Sequence, residues 1–479
     1  MRITPEVCYR AVQAKDTRFD GVFFVGVKST GIYCRPVCPA RTPARKSCEF
    51  FDHAVEAEKA GFRACFRCRP ELAPGQSSVD ASSRITQSAV TLIHEGFLNH
   101  HSVDELAEKL DVTSRHLRRT LNNELGVSPQ QLAQSKRLAL AKQLVQETSL
   151  NLADVAFASG FASVRRFNDA FQKVLGCSPT KLRRSHQRTS EAKDTITLRL
   201  DYRPPLAWNF LLEFMQNRLM TGIENIDGSC YRRVVIWEDK VGWMSVTQDP
   251  KRNSLKLQLP LSLMEGVMPI LSKVRSMFDL DAHPDKIIPH LSHDSHLQPL
   301  LESNPGLRIP GGFEKFPLLI RIILGQRIAV KSATTLCGRL IDSFGQKVTT
   351  PFDELTTDFP KPEVIAHCKP QELIELGIQP SRASTLQTLS SRIVSGEIVL
   401  DDSMERELLR ERLLSIKGIG PWTVETMMMR AFGEPDAFPS SDLGLCKALN
   451  CTPKEAQTRS ESWRPWRSYA ATYLWSQGV

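Results

Sequence analysis

Four cysteines near the start of the chain restrict its fold more than any other feature. Cys34, Cys38, Cys65 and Cys68 read Cys-x3-Cys, 26 intervening residues, then Cys-x2-Cys, within GIYCRPVCPA and FRACFRCRP. Two short-spaced thiol pairs joined by a loop can set four sulfurs around one tetrahedral Zn²⁺. Arg35, Arg41, Arg45, Lys46, Arg63, Arg67 and Arg69 crowd the same stretch. A metal-bound thiolate cluster is anionic, so these cations are expected where a phosphate would have to approach it. The spacing alone leaves two outcomes open, a structural finger and a reactive thiolate.

A length of 479 residues suggests about three or four domains. Charge is uneven along them. Residues 1–190 carry 28 Lys+Arg against 18 Asp+Glu, a net +10, while the whole chain is +9, so the remainder is near neutral at −1. A basic front half points to a polyanion, most simply nucleic acid, with a solubilising surface as the bland reading. MRITPEVCYRAVQAKD has no apolar core run and no stretch of the chain is apolar over the ~18–20 residues a bilayer needs. Neither a secretory signal nor a membrane partner is therefore expected. Scattered single cysteines (Cys177, Cys230, Cys337, Cys368) fit a reduced compartment, so a cytoplasmic location and thiolate ligands rather than disulfides are expected.

Two polar stretches read as linkers, Glu71 to Ser83 and Ser185 to Asp194. Between them the pattern is helical. Ser102 with Glu105 forms a capping-box sequence, a turn follows at Asp111-Val112, and the next helix turns Leu117 and Leu121 inward and Arg115, Arg118 and Arg119 outward. A second unit repeats this: Leu152 to Ala156, a turn at Gly160-Phe161, then Ser163 to Val174 with Arg165, Arg166 and Asn168 outward. A basic second helix after a tight turn suits the major groove; an ordinary bundle with solvated arginines is the alternative.

VAFASGFASVRRFNDAFQKVLGCSPTKLR resembles the signature of AraC-type regulators. With DGVFFVGVKSTGIYCRPVCPAR and AGFRACFRCRP, residues 1–185 resemble the N-terminal part of the Ada adaptive-response family. That resemblance implies zinc on Cys34, Cys38, Cys65 and Cys68. It implies Cys34 as acceptor of a methyl group from a DNA methyl phosphotriester, and DNA contacts from Arg35, Arg41, Arg45 and Arg67. Methylation would take the cluster from −2 to −1. Removing one charge ~5 Å from a phosphate contributes on the order of 3 kcal/mol at an effective dielectric of ~20 before screening, enough to switch operator binding. RNA polymerase at target promoters is a further implied partner. The Pro-Cys-His-Arg motif of that family's guanine-methyltransferase domain is absent, so transfer from guanine O6 is not expected.

From about Tyr202 a new globular unit begins. VVIWEDKVGWMSVTQD and LKLQLP alternate like antiparallel strands, and a helical block is expected from near Phe313. Gly418 and Gly420, in IKGIGPWT between two apolar helices, form a tight turn that can aim backbone N–H groups at a phosphate; a plain glycine-rich connector is the alternative. Asp442 follows about twenty residues later. PGLRIPGGFEKFPLLIRIILGQRIAV, SIKGIGPWTVETMMMRAFGEPDAFPSSDLGL and RSESWRPWRSYAATYLW resemble the AlkA-type 3-methyladenine DNA glycosylases II of the helix-hairpin-helix superfamily. The resemblance implies Asp442 as catalytic carboxylate, a flipped base, and Trp475 and Trp422 as pocket aromatics able to hold a cationic base by cation–π contact, although either tryptophan could be core. Three departures stand out. Thr426 replaces a pocket tyrosine, Arg327 replaces the leucine that enters the base stack, and Trp422 stands where strand-cleaving relatives carry lysine, which implies a glycosylase without lyase activity. Cys446 and Cys451 alone cannot complete an iron–sulfur cluster.

The expected fold is multidomain, mainly α with α+β parts: a small four-cysteine zinc module (1–75), an all-α double helix-turn-helix (84–185), an α+β antiparallel-sheet subdomain (195–300) and an all-α helix-hairpin-helix glycosylase domain (301–479). The expected partner is double-stranded DNA, alkylated or promoter. Two competing functions remain: a regulator whose glycosylase half only grips DNA, and a glycosylase whose front half only delivers it there.

Overall fold

The computed structural model describes residues 3–74, 84–184 and 194–478. It is multidomain and mainly helical, and divides into two compact units. One comprises Met1–Pro204, Asp249–Ser272 and Leu280–Ala282; the other Pro205–Gln248, Lys273–Asp279 and His283–Val479.

The first unit opens on a helix, Pro5–Ala14, and a small four-stranded sheet: β1 (Phe24–Val27), β2 (Ile32–Cys34), β3 (Cys48–Phe51) and β4 (Arg63–Ala64), ordered β3-β1-β2-β4. The β2–β4 pair is parallel, with Ile32 opposite Arg63 and Tyr33 opposite Ala64. Both strands therefore end at the same edge, where Cys34, the last residue of β2, and Cys65, the residue after β4, emerge side by side. This register is what brings the two distant thiol pairs together.

The first expected linker is packed at its start. Pro70–Leu72 forms a 3₁₀ turn with Leu72 buried, and Glu71 pairs with Lys142 at 2.6 Å. A polar composition concealed a buried ion pair there. Residues 75–83, and 185–193 of the second linker, lie outside the described residues.

The helical middle has two helix-turn-helix units. Val103–Lys109 and Ser114–Leu125 form one, Leu152–Ala158 and Val164–Leu175 the other, joined by the long helix Pro129–Glu147. Each turn has a local cause. Ser102 and Glu105 make the reciprocal capping box, and Thr113, Asn151 and Ser163 cap the following helices with side-chain oxygens. Leu117, Leu121, Phe167 and Phe171 are buried. The unit also holds β5 (Thr195–Asp201), paired antiparallel with the later strand Ser254–Pro260.

In the second unit β6 (Glu224–Asp227), β7 (Cys230–Trp237) and β8 (Lys240–Asp249) form an antiparallel meander; Ser254–Pro260, in the first unit, is β9. Helices begin earlier than Phe313: Val267–Met277, Pro284–Leu291 and Gln298–Ser303 all precede it. Prolines at 269, 284, 289 and 299 obscured these short helices in the sequence, because proline is tolerated in a first turn but breaks a longer pattern. Lys315–Leu324, buried on every side, Pro421–Ala431 and Arg467–Trp475 then frame a cavity. Among the described residues no helix is long and apolar enough to cross a membrane.

Candidate functional site

The ligand atoms of Cys34, Cys38, Cys65 and Cys68 all lie within 4.8 Å of one another. Such crowding suits one tetrahedral ion at ~2.3 Å from each sulfur. Four sulfur donors at that spacing fit zinc.

The four sulfurs are not equivalent. The backbone N–H of Arg35 donates to Cys68 Sγ and that of Arg67 to Cys65 Sγ, both at 3.4 Å, and the Ala40 backbone bonds Cys38. Among the described residues no backbone N–H donates to Cys34 Sγ, whose hydrogen bonds are with the Cys38, Cys65 and Cys68 side chains. Cys38, in turn, is the more exposed of the two.

The surrounding arginines separate into two groups. Arg41 and Arg67 are exposed, and Arg45 is half-exposed over the rings of Tyr9 and Phe50. Arg35 departs from the expectation that it faces DNA. It is 6% exposed and paired with Asp20 and Asp201. A cation read only by its neighbours in sequence looked like surface; partners 15 and 166 residues away turn it inward. Arg115, Arg118, Arg119, Arg165 and Arg166 are exposed on the second helices of the two helix-turn-helix units.

In the second unit, Gly418 carries φ +96° in the turn before Pro421–Ala431. A Cβ there would sit 2.2 Å from Thr385 Oγ1, whose hydroxyl donates to Lys417 O, so only glycine fits. Gly420 precedes the helix as its N-cap, with open space beside it. Gln326 Nε2 donates to Gly418 O at 3.0 Å and ties the neighbouring loop to this turn. The next residue, Arg327, is exposed at φ +55°.

Asp442 caps the helix Leu443–Leu449, accepting from Leu445 N at 3.0 Å. Its carboxylate also accepts from two indoles, Trp422 Nε1 at Oδ2 (2.9 Å) and Trp475 Nε1 at Oδ1 (3.0 Å). All three residues line a cavity of about 500 Å³. Trp422, Thr426 and Arg430 follow each other at i, i+4 and i+8 along one helix face lining it. The Thr426 hydroxyl is turned back onto Trp422 O at 2.7 Å.

The sequence reading missed several cavity residues. Arg218, Arg321 and Arg430 line it, and among the described residues no carboxylate pairs with them. Burial and mutual repulsion push Arg430 down to about 9 and Arg218 down to about 10, so both stay charged at neutral pH. Arg218 lies 3.7 Å from the centroid of the Phe214 ring and Arg430 5.1 Å from it. The aromatic surface of Phe214 therefore already holds protein cations. Gly444 leaves room beside Asp442, since a Cβ there would meet Asp442 Oδ1 at 3.0 Å. Leu443, next to Asp442, is 83% exposed. The Trp422–Thr426–Arg430 spacing was a legible signal for Arg430; nothing local marked Arg218 or Arg321.

Four family models match in series: the metal binding domain of Ada (residues 7–71), a helix-turn-helix domain (106–185), the AlkA N-terminal domain (197–314) and the HhH-GPD superfamily base excision DNA repair protein (320–468). A Mycobacterium tuberculosis protein described as a probable bifunctional transcriptional activator/DNA repair enzyme AlkA is 37% identical over 98% of this chain and 96% of its own length. The chain belongs to this family of bifunctional activator/repair fusions. Two Escherichia coli proteins match its parts. DNA-3-methyladenine glycosylase 2 is 29% identical over 58% of this chain and 95% of its own length. The bifunctional transcriptional activator/DNA repair enzyme Ada is 31% identical over 38% of this chain and 49% of its own length. In this activator/repair fusion the metal is zinc, held by a cluster inside the Ada-type segment. The HhH-GPD segment contains Gly418, Gly420 and Asp442 but ends before Trp475.

Proposed function

We propose that the chain repairs alkylated DNA at two centres and uses the first as a transcriptional signal. Its parts are the zinc methyl-acceptor module (1–75), the AraC-type DNA-binding domain (84–185), the AlkA-like α+β subdomain (195–300) and the glycosylase domain (301–479). The observation that carries the reading is Asp442, held by both indoles in a cavity large enough for a base.

At the first centre, zinc keeps the cysteine sulfurs deprotonated at neutral pH. Cys34 Sγ then attacks the methyl carbon of a DNA methyl phosphotriester. A sulfur–carbon bond forms, the carbon–oxygen bond breaks, and the phosphodiester leaves as an anion, with no proton transferred. The thioether product cannot release the methyl group, so each chain acts once. The absence of a backbone donor at Cys34 supports it as acceptor; the greater exposure of Cys38 favours the second reading, and peptide mapping of a labelled methyl group separates them. Arg41, Arg45 and Arg67 contact DNA here. Arg115, Arg118, Arg119, Arg165 and Arg166 bind promoter DNA, where RNA polymerase is the partner.

At the second centre, the Asp442 carboxylate faces positive charge growing on the sugar as the glycosidic bond breaks and the base departs with the bonding electrons. Water adds to C1′ and loses a proton, giving an abasic site. The indole N–H groups hold the carboxylate in place. Trp422, where a lyase needs an amine nucleophile, supports hydrolysis alone. Gly418 and Gly420 bind a backbone phosphate, and Arg327 fills the gap left by the flipped nucleotide. Excision measured on duplexes carrying 3-methyladenine tests this reading: Asp442→Asn should lose base release and keep methyl transfer, and unchanged release would refute the assignment.

A further inference from the structure

The residue after Cys34 is bonded to a strand outside the Ada-type segment. Arg35 holds Cys68 twice, by its backbone N–H to Sγ at 3.4 Å and by its guanidinium to Cys68 O at 3.2 Å. The same guanidinium pairs with Asp20 and donates to Asp201 Oδ2 at 2.8 Å. The three side chains are 7%, 9% and 6% exposed. Buried charges are retained only where partners replace water, and removing one partner leaves the others uncompensated.

Asp201 is the last residue of β5 and lies within the AlkA N-terminal match rather than the metal-binding one. Two residues on, Arg203 donates to Asp20 O at 2.9 Å and Pro74 O at 3.2 Å. The end of β5 thus reaches the Asp20–Arg35 pair from two directions. The strand itself is fixed: Arg199 N–H donates to Glu147, and Gln143 donates to Arg199 O at 2.8 Å.

The electrostatic consequence has a definite sign. Asp20 and Asp201 together offset the Arg35 cation, with Asp201 also paired to Arg199 at 2.8 Å. With the Asp201 charge removed, more of the positive field of Arg35 falls on the neighbouring sulfurs, and their lone pairs become poorer nucleophiles. The Arg35 fork also loses one of its anchors, loosening its hold on Cys68.

We propose that Asp201 is a positioning residue for methyl transfer: acting through Arg35, it fixes the orientation and the electron density of the Cys34 centre, so the AlkA-type half completes the acceptor site of the Ada-type half. This rests on Cys34 being the acceptor. The chemistry is the transfer written above, with the phosphodiester anion as leaving group.

The test uses the full chain loaded with zinc, a duplex bearing a labelled methyl phosphotriester, and a parallel cobalt-loaded preparation. Asp201→Asn is expected to slow labelling of Cys34 about tenfold, to move the thiolate-to-cobalt absorption band to higher energy, and to leave base excision unchanged. Asp201→Glu, which keeps the charge one methylene further out, is expected about threefold below wild type with the band partly moved. A wild-type labelling rate with an unmoved band in Asp201→Asn overturns the proposal. If Asp201→Asn fails to hold metal, Asp201→Glu decides alone, and a wild-type rate and band overturn it. Wild-type protein that never labels Cys34 would instead refute the acceptor assignment beneath it.

Discussion

Trp475 donates its indole N–H to Oδ1 of Asp442 at 3.0 Å, while Trp422 serves Oδ2. Each donor to a charged acceptor is worth about 1.5–3 kcal/mol. Trp475→Phe and Trp422→Phe should therefore each lower single-turnover excision by roughly ten- to a hundredfold, with folding retained because the ring volume is largely kept. Equal rates for wild type and both variants would mean that the indoles act only as walls.

Cys34 and its three neighbours link chemistry to stability. Cys34→Ala should abolish methyl acceptance and leave excision at wild-type rate. Chelation of the metal should lower the melting temperature of the first unit, because four sulfurs within 4.8 Å then repel or must be reprotonated. Calorimetry with and without chelator measures this. An unchanged transition would show that the cluster contributes nothing to folding.

Arg218 stacks on Phe214 in a cavity that also holds Arg321 and Arg430. These cations favour a base offering acceptor oxygens, set against the Glu224, Glu314 and Asp442 carboxylates that line the same cavity. Arg218→Leu is predicted to raise excision of 3-methyladenine relative to a neutral 6-oxopurine by about tenfold. Competition between the two lesions in one reaction gives the ratio, and a ratio that does not move would remove Arg218 from base selection.

Leu443 combines 83% exposure with a place beside Asp442. An apolar side chain here suits a contact with unstacked bases. Leu443→Ala should slow excision from fully paired duplex about tenfold and from a mismatched lesion much less, since the mismatch has already weakened the stack. Equal slowing on both substrates would argue for another role.

Among the described residues, Arg115, Arg118, Arg165 and Arg166 are exposed on the second helices of the two helix-turn-helix units, with only the loose Arg165–Asp169 pair at 3.9 Å. Replacing one phosphate-contacting arginine should reduce the slope of log K against log salt by about 1. A variant with unchanged slope and altered sequence preference would place that arginine on a base edge instead.

Local sequence determined much of this molecule. Thiol spacing marked the metal ligands, a capping box and turn marked the first helix-turn-helix unit and a repeat of its pattern the second, and Gly418-x-Gly420 with Asp442 marked the hairpin and the carboxylate after it. Those signals span a few residues to a few tens, within reach of one turn or helix. Only the tertiary structure decided the direction of Arg35, whose partner Asp201 is 166 residues away, the two indoles on Asp442, and the gathering of Arg218 from a turn and Arg321 and Arg430 from two helices into one cavity. Packing against distant segments sets where a long charged side chain points, and no period or spacing near that residue carries the information.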